Sequence, residues 1–101
     1  MKKLLVDFNK AFESKVRLGI MSVLMVNESA DFNTLKELLN LSDGNLASHI
    51  KSLEELKYII VHKQFIGKKP NTTYSASKEG IKAFHAHLKS LEMLIKSQGK
   101  G

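Results

Sequence analysis

The side chains with the clearest chemistry in this sequence are cations and amides rather than nucleophiles. Between Lys57 and Lys78 the chain carries five lysines and no carboxylate. Residues 57–101 hold nine lysines against Glu79 and Glu92, while residues 1–56 hold seven Lys/Arg against eight Asp/Glu, so the net charge of +6 is concentrated in the second half. Such a surface attracts polyanions and gains affinity by releasing their counterions. Just upstream, Gly44, Ser48, Lys51 and Glu55 fall on one side of a helix, with Asn45 near its edge, Ala47 and Ser52 on its flanks and Ser42 at its start; Glu55 is too far along to help and would limit insertion. The small residues keep this face low. Asn45 is able to pair with adenine, Ser48 with a base or a phosphate, and Lys51 with guanine or a phosphate. Standing alone, the face would be an ordinary solvated surface; a basic hairpin directly after it turns the reading toward nucleic acid.

Other chemistries find little support. The chain has no glycine-rich phosphate loop, nucleophile motif or paired-carboxylate constellation, so neither an enzyme nor a cofactor is expected. Cysteine is absent and the four histidines are scattered. His85 and His87 stand two apart on a helix and point in different directions, so no metal site is expected. His49 reads as a packing or capping histidine, with a phosphate contact left open. Arg17 is the only arginine and lies outside the polar helix, which therefore lacks the Arg fork on guanine. Modest direct readout, with a larger share from phosphates and duplex shape, is the consequence.

The elements that must position these groups follow from periodicity and caps. Leu4, Leu5, Phe8, Ala11 and Phe12 make one stripe of a short first helix. Ser14 is suited to cap a second helix reaching about Asn27, apolar on two sides: Val16, Ile20, Val23 and Leu24 on one, Leu18, Met21 and Met25 on the other. Residues 28–32 leave room for a turn and a stub of strand. Asn33 or Thr34 then caps a brief helix bearing Leu35, Leu38 and Leu39. Ser42 caps the next helix, whose Leu46, Ile50, Leu53 and Leu56 face a core; the pair reads as a helix-turn-helix. The β-branched and aromatic run 58–66, the turn residues 67–71 and the return strand 72–76 form a hairpin. Ser77 opens a last helix, with Ile81, Phe84, Leu88, Leu91 and Ile95 spaced as a heptad seam.

Helix-turn-helix, hairpin and long final helix in this order resemble the small MarR/ArsR-like winged-helix regulators. The matching residues are Asp31-Phe32, Leu41 to Leu46, Ser48-His49-Ile50, Leu53-Glu54, Tyr58-Ile59, Gly67 to Pro70, Thr72 to Tyr74 and Ser77 to Gly80. They span roughly residues 14–95. The resemblance implies that the helix opened by Ser42 enters the major groove, the hairpin touches the minor groove or phosphates, and the terminal helices dimerise. Lys68, Lys69 and Lys82 stand where that family often has arginine, and without cysteine its metal sensing does not carry over.

The sequence therefore predicts a mainly α, α+β winged helix-turn-helix with a two-stranded wing. One domain over 1–97 is expected: a dimerisation helix at 1–13, the winged core at 14–76 and a second dimerisation helix at 77–97, with 98–101 a frayed tail. The expected function is sequence-specific binding of double-stranded DNA by a homodimeric transcriptional regulator, with a repressor favoured. Helix 42–57 would read a near-palindromic operator, and the wing at 63–72 would rest on the backbone or minor groove. Its contacts would come from Lys63, Lys68, Lys69, Asn71 and Thr72. Leu4, Phe8, Phe12, Met21, Met25, Ile81, Phe84, Leu88, Leu91 and Ile95 would form the dimer interface. The alternative is a winged-helix protein-interaction module in a larger assembly. No apolar run is long enough for a bilayer, and the N-terminus meets Asp7, Asn9 and Lys10 too early for a secretion signal, so a cytoplasmic protein without a membrane partner is expected. Nothing in the residues names an effector.

Overall fold

The structure, a computed structural model, describes residues 8–99. Among these residues there are four α-helices, α1 (Lys15–Val26), α2 (Phe32–Leu39), α3 (Asp43–Glu55) and α4 (Lys78–Gly99), and three strands, β1 (Ala30–Asp31), β2 (Ile59–Ile66) and β3 (Lys69–Ala76). The strands form one antiparallel sheet in the order β1-β3-β2. This is the winged helix-turn-helix expected, with the stub of strand supplying a third member of the sheet.

Side-chain caps mark the starts of the helices. Ser14 Oγ accepts from the Arg17 N–H at 3.3 Å and Ser42 Oγ from the Asn45 N–H at 3.2 Å. At α2 the cap is Asp31 rather than Asn33 or Thr34: its carboxylate accepts from the Thr34 N–H at 2.8 Å. That bond holds the Asp31 pKa below its ordinary value. The helix thus begins two residues earlier than the apolar run suggests, directly off β1.

Ser77 joins two elements at once. Its Oγ accepts from the Gly80 N–H at 2.9 Å and donates to the Lys57 carbonyl at 2.6 Å. Lys57 sits in the left-handed region at φ 64°, where its N–H reaches Glu54 O and the Tyr58 N–H reaches Leu53 O. This closure ends α3 and satisfies its last carbonyls. The end of α3 is thereby fixed to the start of α4.

The core collects Ile20, Met21, Leu35, Leu46 and Leu53, with Ile50, Ile59, Tyr74 and Phe84 around them. The two-sided apolar pattern of α1 has a plain cause, since α1 touches α2, α3, α4 and β3. Burial raises the Tyr74 pKa, and the Glu54 carboxylate adds to the effect.

Three expectations need correction here. Leu4 and Leu5 lie outside the described residues, but the end of the proposed first helix is an extended lead-in followed by a 3-10 turn, Lys10–Glu13. Asn9 is extended and accepts from the Ala11 N–H at 2.9 Å, which interrupts an α-helix through Phe12. The wing turn is tighter than 67–71: Ile66 pairs with Lys69, so only Gly67 and Lys68 connect the strands, and Gly67 takes φ 64°. Pro70 is a strand residue opposite Phe65. Next to a two-residue turn this is a non-hydrogen-bonded pair, where a missing N–H costs the ladder nothing. Finally, α4 continues through Gly99, past the point where fraying was expected.

Candidate nucleic-acid interface

Helix α3 is buried along Leu46, Ile50 and Leu53, half-buried at His49 and Ser52 and exposed elsewhere. Gly44, Asn45, Ala47, Ser48 and Lys51 are all exposed, as is Ser42 at the cap; Ser52 is half-buried and donates to Ser48 O at 3.3 Å. The set expected to face a groove is thus displayed together on one helix. Gly44 has open space around it, with nothing within 4 Å of an added Cβ. Asp43 is the one carboxylate in the first turn of this helix, and Lys36 pairs with it at 2.8 Å. An exposed pair of this kind adds little stability, yet it offsets a charge that would repel a phosphate.

On the wing, Lys63, Lys68 and Lys69 are exposed, whereas Asn71 and Thr72 are half-buried. These two line a shallow hollow with Asp31, Phe32, Asn33 and Pro70. Strand alternation places Lys63 and Thr72 on the sheet face that carries Tyr74, with Asn71 and Lys69 on the other. The wing cations therefore surround the hairpin instead of lining one side.

Sequence reasoning assigned Arg17 no part in this surface. Its Nε donates to Ala11 O at 2.8 Å, and Nη1 lies 3.2 Å from His49 Nδ1. The guanidinium links the 3-10 turn to α3, and it borders a groove with Lys10, Ser52 and Glu55. Only the fold brings positions 11, 17 and 49 together. Burial, and next the charge of Arg17, lower the His49 pKa below its usual value. Both effects favour the neutral imidazole, whose Nδ1 is able to accept from Arg17 on the flank of α3. Since the depressed value belongs to the folded state, the unfolded chain binds the proton more readily. The His49 contribution to stability is fully present above the ordinary histidine range and declines as pH falls through it. Arg17→Met is expected to raise the His49 pKa without returning it fully, because burial remains. An NMR titration of the imidazole resonances checks this; an unchanged midpoint would remove Arg17 as a neighbour.

The interface residues expected for a second chain divide in two. Phe12 is 3% exposed and Met21 0%, and Phe84 is 6% exposed, so these three belong to the protomer's own core. Phe12 stacks on Tyr58 with centroids 5.8 Å apart and meets Phe84 edge-on at 5.7 Å and His87 at 5.3 Å. Phe8 is half-buried against His87, and Met25 is half-buried against the core. Ile81, Leu88, Leu91 and Ile95 remain exposed at 39%, 42%, 40% and 62%. The stripe of α4 that faces inward is instead Gly80, Phe84, His87 and Ser90, all buried. His87 is held there by the Asn9 N–H, which donates to its Nδ1 at 3.2 Å. Two polar residues in that stripe hid it from a search for apolar periodicity.

A family described as winged helix DNA-binding domain matches residues 16–95. An uncharacterized protein of Methanocaldococcus jannaschii is 38% identical over 88 residues, covering 87% of this chain and 96% of that protein. The structure of a transcriptional regulator homologue from Pyrococcus horikoshii OT3 superposes with a TM-score of 0.87 at 30% identity, covering 97% of this chain and 98% of that one. Bacillus subtilis PadR, solved in complex with operator DNA, shares the fold at a TM-score of 0.66 and 13% identity, over 74% of this chain and 48% of its own. Family match and near-full-length relatives agree with the cap-by-cap geometry of residues 14–95: this chain belongs to the winged helix DNA-binding domain family.

Proposed function

We propose that the protein is a homodimeric transcriptional repressor, of the compact MarR/ArsR-like kind, that reads a near-palindromic operator. Helix α3 lies in the major groove, where Asn45, Ser48 and Lys51 meet base edges and phosphates. The wing rests on the backbone or minor groove through Lys63, Lys68 and Lys69, with Asn71 and Thr72 behind them. One domain over 1–97 carries all of this. The observation that supports the reading most is the exposed, low stretch of α3 from Gly44 to Lys51, with Asp43 paired to Lys36 and Glu55 kept to the far end, set beside a hairpin without a carboxylate. The regulator from Pyrococcus horikoshii and the operator complex of PadR point in the same direction.

The two parts of the surface have separable roles. Asn45→Ala or Ser48→Ala is expected to cost about 1–3 kcal/mol per lost base contact and to relax preference at one position. Lys68→Ala with Lys69→Ala should weaken every duplex alike and lower the salt slope by about one unit per lost phosphate contact. Fluorescence anisotropy over a salt series, on a duplex selected from a random pool and on its scrambled version, reads both effects. A wing double variant that binds both duplexes as the parent does overturns the wing assignment. Failure of the parent to enrich any duplex overturns the function.

A further inference from the structure

The tip of the wing carries apolar surface that the phosphate-contact reading does not use. Phe65 is 73% exposed and Ile66 63%. Phe65 is directly opposite Pro70, in the non-hydrogen-bonded pair next to the turn, where side chains approach most closely. The pair shares a sheet face with Lys63 and Thr72, and Lys68 and Lys69 follow at the turn. No carboxylate occurs from Lys57 to Lys78. A large aromatic held in water at the end of a hairpin is unfavourable unless something covers it. What covers it must also accept a collar of lysines.

Resting on the DNA-binding reading, we infer that the Phe65–Pro70 pair is a wedge that enters the minor groove and partly unstacks a base step, kinking the duplex. Three features fit this use. Phe65 is flat and its backbone is fixed by cross-strand pairing, so little entropy is lost on insertion. Pro70 backs it with a ring that cannot donate a hydrogen bond and presents only apolar surface. Lys63 lies on the same face as the pair, with Lys68 at the turn and Lys69 on the opposite face, so cations for the flanking phosphates are available on both sides of the hairpin. The wing has no arginine to read a narrow minor groove by charge, so sequence preference here would come from how easily a step unstacks. Flexible pyrimidine–purine steps such as TA are the favoured sites. Specificity would then extend to positions that make no hydrogen bond with the protein.

The test uses the full chain and a pool-selected duplex with 2-aminopurine placed at successive TA or CA steps outside the major-groove half-site. Saturating protein should raise the fluorescence of one such step by about twofold or more, as a base leaves its stack. Phe65→Ala should abolish that rise and weaken binding about tenfold, whereas Phe65→Leu, which keeps an apolar wedge, should retain most of both. Lys68→Ala with Lys69→Ala should lower affinity yet preserve the rise at saturation. A duplex with an abasic gap at that step should restore Phe65→Ala binding toward the parent value, because unstacking is already done. Since Phe65 is exposed, its variants should melt with the parent, and a large drop in melting temperature would itself contradict the free wedge. A parent that binds by anisotropy but leaves every 2-aminopurine unchanged overturns the wedge and spares the DNA-binding reading. Absence of any anisotropy change sinks both. Co-sedimentation with phosphatidylserine–phosphatidylcholine vesicles that depends on Phe65, with no response on DNA, would assign the tip to a membrane surface and overturn the inference.

Discussion

Replacing Gly80 with alanine is expected to cost about 3 kcal/mol or more of folding stability, the upper end of what overpacking does. A Cβ at this position would overlap the Tyr58 carbonyl oxygen and lie 3.0 Å from Met21 Cε. The methionine is able to move, but the carbonyl is backbone and is already committed: it accepts from the Ser77 N–H at 2.9 Å. Relief would require α4 to slide away from the end of α3, breaking the Ser77–Lys57 hydrogen bond as well. Gly44→Ala is the control, because the added methyl meets nothing within 4 Å and alanine is the better helix former. It should gain about 0.5–1 kcal/mol of stability while raising the floor of the surface proposed to face DNA. Urea unfolding of both variants, with the m-value compared against the parent, separates a stability change from a loss of two-state behaviour. A Gly80→Ala protein as stable as the parent would mean that α4 does not pack this closely on Tyr58.

Gly80 also illustrates what was legible beforehand. Ser14, Ser42 and Ser77 were readable as helix starts because a cap is a local event, decided within four residues. The wing was readable because its strands are β-branched and its turn contains Gly67 in a position that needs positive φ. The close approach of Gly80 to Tyr58 joins residues 22 apart through a chain reversal, and nothing local signals it. The same limit applies to Arg17, whose partners at 11 and 49 meet only in the fold. Met21 shows a different gap. Periodicity revealed that α1 has two apolar sides, but it does not say whether the second is covered by the same chain or by another. Here β3 and α4 of the same chain pack on the helix, so Met21 is core. On α4 the error ran the other way, since the inward stripe includes His87 and Ser90, which apolar spacing passes over. Asp31 was overlooked as a cap because the strand before α2 is two residues long and leaves no interval between strand and helix.

Leu88→Glu with Leu91→Glu is expected to split the proposed dimer, weakening its association at least about 100-fold and sharply reducing operator affinity. With Phe12, Met21 and Phe84 assigned to the core, the surface left for a second chain is narrower than the sequence suggested, and it runs along one flank of α4. Ile81, Leu88, Leu91 and Ile95 lie there between 39% and 62% exposed. Four aliphatic side chains over four turns of helix match the seam of a helix pair, and a two-fold axis would bring the same stripe from each chain together. Each Glu pair would then place like charges in an apolar contact with no counter-ion. A two-fold dimer also sets the recognition helices about 34–36 Å apart, in successive major grooves, so that losing the seam removes one half-site and its binding energy together. Met93→Glu is the matched control: Met93 is 50% exposed but on a different side of α4, and its change should leave both association and binding as they were. Sedimentation equilibrium at micromolar concentration, run beside anisotropy on whole and half operators, distinguishes the outcomes. If the last helix merely exposes these residues on a monomer, the parent will sediment as one chain and bind a single half-site with full affinity, and the double variant will change neither.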